Sequence, residues 1–203
     1  VILRLTTRVA HSQGIVEYGE REAYSIKDYE KNIPKYVMTP NNAKTRHVVV
    51  EERMKRLASD MKALELYHIE EAESKIGIIT SGIGYEYVKE SGVKANILKL
   101  HMVNPLPIDA IKEFANNVDI LYVIEELEPV IEEQVKALGY QTKGKELFGR
   151  QGELSVRKIK EIFGLEVPVV RKAESLPIRP AVLCPGCPHR GFYTCLLYTS
   201  DAA

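Results

Sequence analysis

Three short apolar runs, rich in Ile, Val and Leu, lie in the middle of the chain at residues 76–80, 96–103 and 119–124. Runs of this length are typical of strands that are buried on both faces. Each run is followed by a segment whose apolar residues recur at intervals of three and four, which indicates an amphipathic helix. The alternation predicts an α/β fold in which helices cover a parallel sheet.

Further signals extend this pattern on both sides of the three runs. Pro129 is expected to open a helix that Gly139 ends, and Ser155 to cap a helix that Gly164 ends. Additional strands are predicted at residues 140–148 and 181–183.

A longer helix is predicted before the sheet, with Asn41 and Asn42 as its N-terminal capping residues. Its apolar residues follow one another at steps of four, three, four and three, which places them on one helix face. They are Val50, Met54, Leu57, Met61 and Leu64. We interpret the helix as a connector that lies against a neighbouring domain, at the end of a polar linker over residues 20–40.

Composition excludes several classes of protein. The 203 residues include 28 basic and 28 acidic side chains, so no net charge favours nucleic acid or an anionic membrane. The chain contains no apolar run of about 20 residues, the length that spans a bilayer. Three Cys residues are too few for a disulfide framework, so we expect a cytoplasmic protein whose thiols serve another purpose.

The two ends of the sequence have an unusual character. The chain begins with Val, and residues 1–8 already have the pattern of a strand, so we expect a fragment of a longer protein. The turn that follows this strand could bring Thr6, Thr7, Arg8, His11 and Ser12 to a polar site, but the residues alone favour an ordinary solvated turn. Residues 196–203 show no period and are expected to be a non-native tail.

Two loops that follow predicted strands carry candidate chemistry. Gly82 and Gly84 resemble the start of a dinucleotide fingerprint, but no third Gly completes it, so a tight strand-to-helix turn is the favoured interpretation. The acidic side chains of Glu125, Glu126 and Glu128 follow the third strand. They could bind a metal or act as acid and base, but stabilisation of the next helix through its dipole is the favoured role.

The sequence Cys184-Pro-Gly-Cys-Pro-His-Arg-Gly191 contains a C-x-x-C motif. Cys184 and Cys187 would supply half of the four ligands that a tetrahedral ion needs, and His189 lies near enough in sequence to add a third. The Pro and Gly residues also favour a rigid loop whose N–H groups could meet an anion, with support from Arg190. From the residues alone, a metal site, an anion loop and a structural turn stay open.

Further short motifs precede the Cys184–Gly191 block along the chain. They are Thr6-Thr-Arg-Val-Ala-His11, Tyr36-Val-Met, Asn42-Ala-Lys, Thr80-Ser-Gly-Ile and Glu125-Glu-Leu-Glu-Pro129. Together, and in this order over nearly the whole chain, they resemble the large (alpha) subunit of indolepyruvate ferredoxin oxidoreductase, and the Cys184–Gly191 block is the most specific of them.

The resemblance implies a domain organisation. Residues 1–24 would end a pyrimidine-binding domain, and residues 25–74 would form a linker with the amphipathic helix. Residues 75–172 would form a small parallel-sheet domain like the C-terminal domain of transketolase. Residues 173–195 would begin a diphosphate-binding domain, and residues 196–203 would be the tail.

The resemblance also implies an activity. Members of this family oxidatively decarboxylate aryl 2-oxoacids such as indolepyruvate with coenzyme A, and they reduce ferredoxin. The implied cofactors are thiamine diphosphate, Mg²⁺ and iron–sulfur clusters, the clusters being expected outside this chain. The implied partners are a beta subunit and ferredoxin, with no nucleic acid and no membrane.

The resemblance places the block that begins at Cys184 beside the cofactor diphosphate. The expected cofactor-binding residues in this block are Cys184, Gly186, Cys187, His189 and Arg190. Ligation of a cluster by Cys184 and Cys187 is the lesser alternative, because Pro188 stands where related enzymes have Gly.

By the same resemblance, Arg8 and His11 are candidates to face the substrate. Two other functions stay open at this stage. One is a related oxidoreductase for another 2-oxoacid, and the other is a non-catalytic interaction module with half a metal site.

Overall fold

The computed structural model of the protein describes residue 15, residues 17–169, residue 183 and residues 185–199, the last four of these as backbone only. The chain divides into two compact units, residues 1–59 and residues 60–203. The predicted strands at residues 1–8 and 181–183 lie outside the described residues, apart from Leu183.

The described part of the first unit is a long irregular segment followed by two helices. Helix α1, Ile33–Tyr36, is capped by Asn32, whose Oδ1 accepts a hydrogen bond of 3.1 Å from the backbone N–H of Lys35. Helix α2, Pro40–Asp60, begins one residue before the predicted caps. The prediction that the two Asn residues cap α2 is therefore wrong, because Pro fits the first helical turn and Asn42 Nδ2 instead donates to the carbonyl of Val37 at 2.8 Å.

The apolar stripe continues past the end of α2. Val50, Met54 and Leu57 lie on the helix and are partly buried. Met61 is fully buried in the turns that follow, whereas Leu64 is exposed. That the helix lies against a neighbouring domain stays a prediction.

The second unit contains a four-stranded sheet in the order β1-β3-β2-β4. Its strands are β1 Tyr67–Glu70, β2 Ile76–Ser81, β3 Asn96–Leu100 and β4 Ile120–Ile124. Strand β2 pairs in parallel with both β3 and β4, whereas β1 is antiparallel at the edge. The predicted parallel sheet is confirmed, and β1 is an element that the apolar pattern did not reveal.

Two helices of this unit connect the parallel strands, and four described helices follow β4. They are α3 Ile83–Ser91, α4 Ile108–Asn116, α5 Val130–Ala137, α6 Lys145–Phe148, α7 Val156–Ile162 and α8 His189–Thr199. Ser155 caps α7 as predicted, since its Oγ accepts a 3.3 Å hydrogen bond from the N–H of Lys158.

Both faces of the sheet are covered by apolar side chains. Ile79, Leu98 and Val123 belong to one buried cluster, which also contains Ile111 of α4 and Val135 of α5. Alternate residues of the same strands point the other way, and they pack with side chains of α3 and α7. Residues buried on both faces explain why these strands show continuous apolar runs rather than alternation.

Two predicted strand boundaries are wrong. Strand β3 ends at Leu100 rather than residue 103, and the N–H of His101 donates to the carbonyl of Leu66 at 3.0 Å. The predicted strand at residues 140–148 is limited to hydrogen bonds of Lys143 with Leu121 and Val123 at 2.8 and 2.9 Å. The chain then turns at Gly144 into the short helix α6.

Candidate functional site

The carboxyl ends of the parallel strands bring two loops together. Strand β2 ends at Ser81 and strand β4 at Ile124, and Thr80 lies opposite Ile124 in the parallel register. The hydroxyl of Thr80 donates a 2.7 Å hydrogen bond to the carbonyl of Ile124. Loops at this edge of a parallel sheet commonly form functional sites.

The glycines after β2 are explained by backbone geometry. Gly82 precedes α3 with φ of +54°, a conformation that favours Gly. A β-carbon on residue 84 would lie 2.9 Å from Oγ1 of Thr80 and 3.3 Å from the carbonyl oxygen of Ile124. Both glycines are thus required by a tight strand-to-helix turn, which is the interpretation that the sequence favoured over a nucleotide fingerprint.

Glu125 ties the end of β4 to the start of α5. Its side chain is 6% exposed. Its carboxylate accepts hydrogen bonds of 2.9 Å from the backbone N–H groups of Ile131 and Glu132. The helix has no capping side chain at Pro129, so the carboxylate takes over the role of a cap and interacts with the positive end of the helix dipole.

Glu132 is a second buried carboxylate beside the first. It is 3% exposed, and it accepts hydrogen bonds from the backbone N–H of Lys145 at 2.8 Å and from Nζ of Lys136 at 2.5 Å. Nζ of Lys145 in turn donates to the carbonyl of Glu125. Each buried acidic group therefore has its own donors, which is the condition for burying charge in a stable fold.

Burial shifts the acid–base equilibria of this cluster. Loss of water raises the pKa of Glu125, although the N–H groups of Glu132 and Ile131 act in the opposite direction. Burial also lowers the pKa of Lys145, and the attraction of Glu125 and Glu132 opposes that change. Backbone N–H groups engage both carboxylate oxygens of Glu125. The raised pKa of Glu125 therefore belongs to a buried group that anchors α5, and not to a group that is available to a substrate.

The other two acidic residues of the loop face water. Glu126 and Glu128 are exposed, and Oε2 of Glu128 lies 3.2 Å from Nη1 of Arg150. Within residues 15, 17–169, 183 and 185–199, no group of three His, Cys, Asp or Glu side chains is arranged to hold a metal. Of the three acidic residues in the loop, Glu125 stabilises the first turn of α5, which was the role favoured from sequence.

The described part of the Cys-Pro-Gly-Cys block forms a turn that leads into α8. Gly186 has φ of +77°, and the Sγ of Cys187 lies 3.4 Å from Nδ1 of His189. Arg190 bonds its own loop, with its N–H 3.1 Å from the carbonyl of Cys187 and Nη2 2.6 Å from the carbonyl of Leu183. The structure thus brings together Cys187, His189 and Arg190.

Three predicted site residues cannot be located in this arrangement. Arg8, His11 and Cys184 lie outside the described residues. Sequence reasoning in turn missed Glu132, Lys145 and Gly144 at the carboxyl edge of the sheet. The only local signal was the spacing of Glu132 and Lys136, which places their side chains on one helix face.

Within the described residues, no helix combines the length and apolar character that crossing a membrane requires.

The chain is similar to several curated proteins across nearly its whole length. It is 35% identical over 216 residues to the indolepyruvate oxidoreductase subunit IorA of Methanothermobacter marburgensis, covering 95% of this chain and 34% of the relative. The same subunit of Thermococcus kodakarensis is 34% identical over 224 residues, with coverages of 95% and 35%. That of Pyrococcus abyssi is 34% identical over 227 residues, with coverages of 97% and 35%.

Other comparisons add less. No protein-family model matches the chain. A solved 2-oxoglutarate:ferredoxin oxidoreductase from Magnetococcus marinus, with 2-oxoglutarate, coenzyme A and succinyl-CoA bound, overlaps 61% of this chain and 24% of its own. Its identity of 19% and TM-score of 0.39 are too low to support an argument about the site.

The sheet and its covering helices define a mixed α/β protein whose loops meet at the carboxyl edge of a mostly parallel sheet. Within that class, the chain is a homologue of the indolepyruvate oxidoreductase subunits IorA. The family resemblance predicted from its motifs is therefore confirmed. The chain spans about a third of the length of the curated relatives that it matches.

Proposed function

We propose that this chain is part of the large subunit of an oxidoreductase that oxidatively decarboxylates aryl 2-oxoacids, with indolepyruvate as the preferred substrate. The products would be the acyl-coenzyme A and carbon dioxide, and the electrons would pass to ferredoxin. The observation that carries the proposal is the identity of 34–35% with indolepyruvate oxidoreductase subunits over 95–97% of the chain. A beta subunit, ferredoxin and coenzyme A are the proposed partners.

The described sheet supports a role for residues 75–172 as the domain like the C-terminal domain of transketolase. Three parallel strands covered by helices on both faces agree with that assignment. Residues 1–24 and 173–195 would then belong to the two domains that bind thiamine diphosphate. Residues 25–74 would connect them to the sheet, and residues 196–203 would be a non-native tail.

The described residues do not by themselves fit thiamine diphosphate. Gly186, His189 and Arg190 are exposed, and Cys187 is half-buried. Arg190 already donates to a carbonyl of its own loop. A thiamine diphosphate site that includes this block therefore requires residues beyond those described. Arg8 and His11, which are proposed to face the substrate, lie among those other residues. Sites for Mg²⁺ and iron–sulfur clusters also require residues beyond those described.

The test uses the complete subunit that contains this sequence, produced without oxygen together with its beta subunit. Reduction of ferredoxin is measured with coenzyme A and each of several 2-oxoacids: indolepyruvate, phenylpyruvate, pyruvate and 2-oxoglutarate. We expect the highest kcat/KM with the aryl substrates and dependence on added thiamine diphosphate and Mg²⁺. Preference for a small or acidic 2-oxoacid would overturn the proposed substrate. Failure to reduce ferredoxin with any of the four 2-oxoacids would overturn the proposal that the subunit belongs to such an enzyme.

A pair of Cys variants tests the proposed cofactor block. Cys187→Ala is expected to raise the concentration of thiamine diphosphate that gives half of the maximal activity. Cys195→Ala, an exposed Cys outside the block, is the matched control and should leave that concentration unchanged. Equal behaviour of the two variants would contradict the role of Cys187. The 203-residue chain alone is expected to be inactive, and turnover by it would contradict the proposed division of the site.

A further inference from the structure

Leu127 has an unusual combination of backbone and exposure. It lies in the loop 125–129 that follows β4, its φ is +55°, and it is 58% exposed. Positive φ is unfavourable for a branched residue because the β-carbon approaches the backbone, and Gly, Asn or Asp tolerate it better. A large apolar side chain at such an exposed position gains nothing within this domain.

The other described non-Gly residue with positive φ has a local explanation. Glu65, with φ of +51°, follows the turns after α2. Its N–H donates to the carbonyl of Lys62 at 3.1 Å, and the N–H of Leu66 donates to that of Met61 at 2.9 Å. This is the Schellman arrangement, which requires a left-handed residue at that position. Leu127 follows a strand, so helix termination does not explain its conformation.

The loop that carries Leu127 is fixed at both ends. On the strand side, the carbonyl of Ile124 accepts a hydrogen bond from the hydroxyl of Thr80. The carbonyl of Glu125 accepts a hydrogen bond from Nζ of Lys145. On the helix side, the Glu125 carboxylate holds the first turn of α5, and the ion pair of Glu128 with Arg150 ties down the loop itself. These contacts hold the backbone on both sides of Leu127, and its side chain is presented to solvent.

The surroundings of Leu127 define the surface that would fit it. Glu126 and Glu128 flank it with exposed carboxylates, and Val130, 52% exposed, adds a second apolar group. Strained backbone conformations persist where function uses them. An exposed apolar side chain between acidic groups suits an apolar pocket with basic groups at its rim.

We propose that Leu127 is the anchor of a contact between the loop 125–129 and the remainder of the same oxidoreductase subunit, at an apolar pocket rimmed by Lys or Arg side chains. This inference rests on the proposed function, because the related subunits are about three times as long as this chain. The partner is thus a part of the subunit that the relatives possess beyond the aligned residues.

The size of the loop favours a contact within one subunit over one between chains. A stable interface between proteins buries about 800 Å² on each partner through about 20–30 residues, or roughly 30–40 Å² per residue. Five loop residues would then supply about 150–200 Å², which is far too little alone. Within one subunit the chain connection already holds the domains near each other, so a small contact is sufficient.

The test places a photo-crosslinking amino acid at position 127 of the complete subunit, assembled with its beta subunit. Mass spectrometry then identifies the crosslinked peptide. We expect a peptide of the same subunit outside residues 1–203, with Lys or Arg beside an apolar sequence. A crosslink to the beta subunit, to a second copy or only to residues 1–203 would overturn the proposal, and so would the absence of a crosslink.

A charge reversal tests the basic rim. Glu126→Lys should reduce the yield of this crosslink several-fold, whereas Glu90→Lys in the last turn of α3, at the opposite end of that helix from the carboxyl edge, should not. Equal yields for the two variants would contradict the predicted basic rim. Oxidation of 2-oxoacids is measured on the same samples. Activity without the crosslink would reject only the contact, and the crosslink without activity would reject only the proposed function.

Discussion

The side chain of Glu132 occupies the space that a side chain on Gly144 would need. A β-carbon on residue 144 would lie well inside van der Waals contact with Oε2 of Glu132. The carboxylate cannot easily move away, because it accepts hydrogen bonds from Lys136 and from the N–H of Lys145. A residue without a side chain is thus required where α6 approaches α5.

We therefore expect Gly144→Ala to lower the free energy of unfolding by about 1–3 kcal/mol, the range typical of overpacking. Urea denaturation measures the loss. Gly19→Ala is the control, because a β-carbon there would have no atom within 4 Å. In a Glu132→Ala background the same Gly144→Ala change should be less destabilising, since the obstructing carboxylate is gone. An equal loss in both backgrounds would show that the overlap is not the cause.

The same substitution should affect the free energy of unfolding differently at two buried Thr residues. Thr80→Val removes a hydroxyl that donates to Ile124, so we expect a loss of about 1–3 kcal/mol in the free energy of unfolding. Thr142→Val removes a buried hydroxyl for which the described residues supply no partner. That change should be neutral or stabilising. Thermal denaturation of both variants checks the signs, and a comparable loss for Thr142→Val would reveal a hydrogen bond to this hydroxyl.

The apolar pattern predicted the centre of the fold because burial on both faces leaves a local signature. The run at residues 76–80 coincides with β2 to within one residue. Strand β1 was missed because four residues at the edge of a sheet, Tyr67–Glu70, include two polar side chains and bury only part of their surface. Its position depends on pairing with β3 about 30 residues later, which no local pattern records.

The candidate site was predictable in its location but not in its contacts. The acidic loop after β4 stands out in the sequence, and helix stabilisation was its favoured role. The partners of Glu125 are less visible, since Lys145 reaches its carbonyl from 20 residues away. The failure of the strand predicted at residues 140–148 has the same origin. Glu132 accepts the N–H of Lys145, 13 positions later, so a residue distant in sequence helps to hold the start of α6.

Glu125 should make the protein less stable as the pH rises from acidic values. Burial raises the pKa of its carboxyl above 4.5 in the folded protein, so the folded state holds this proton more tightly than the unfolded chain. The free energy of unfolding therefore falls as the pH rises from about 4.5 through the raised pKa, because the proton is lost at a greater free-energy cost in the folded state.

Glu125→Gln should remove this part of the pH dependence. The amide can accept only one of the two backbone N–H groups, so the variant is expected to be less stable than the native protein at acidic pH, and the gap should narrow towards neutral pH. Urea midpoints from about pH 4 to about pH 8 measure the gap. Glu126→Gln on the exposed neighbour controls for the loss of one charge. A gap that widens with pH would contradict a raised pKa.

Glu70 at the other edge of the sheet should show the opposite sign. Its carboxylate accepts hydrogen bonds from Lys89 and from the hydroxyl of Tyr85, and these lower its pKa below 4.5 although partial burial acts against them. The unfolded chain then binds the proton more tightly than the folded protein. Stabilisation by this group is fully present above about pH 4.5 and is lost as the pH falls through the lowered pKa.

Glu70→Gln is accordingly expected to destabilise the protein at neutral pH. The difference in free energy of unfolding between the variant and the native protein should disappear as the pH falls below about 4.5. The same urea midpoints measure it, and Glu73→Gln on an exposed carboxylate near β1 is the matched control. Tyr85→Phe removes one of the two donors, so it should produce a smaller change in the same direction. If the gap for Glu70→Gln stayed constant down to acidic pH, the carboxylate would contribute through packing alone, and the hydrogen bonds from Lys89 and Tyr85 would not control its titration.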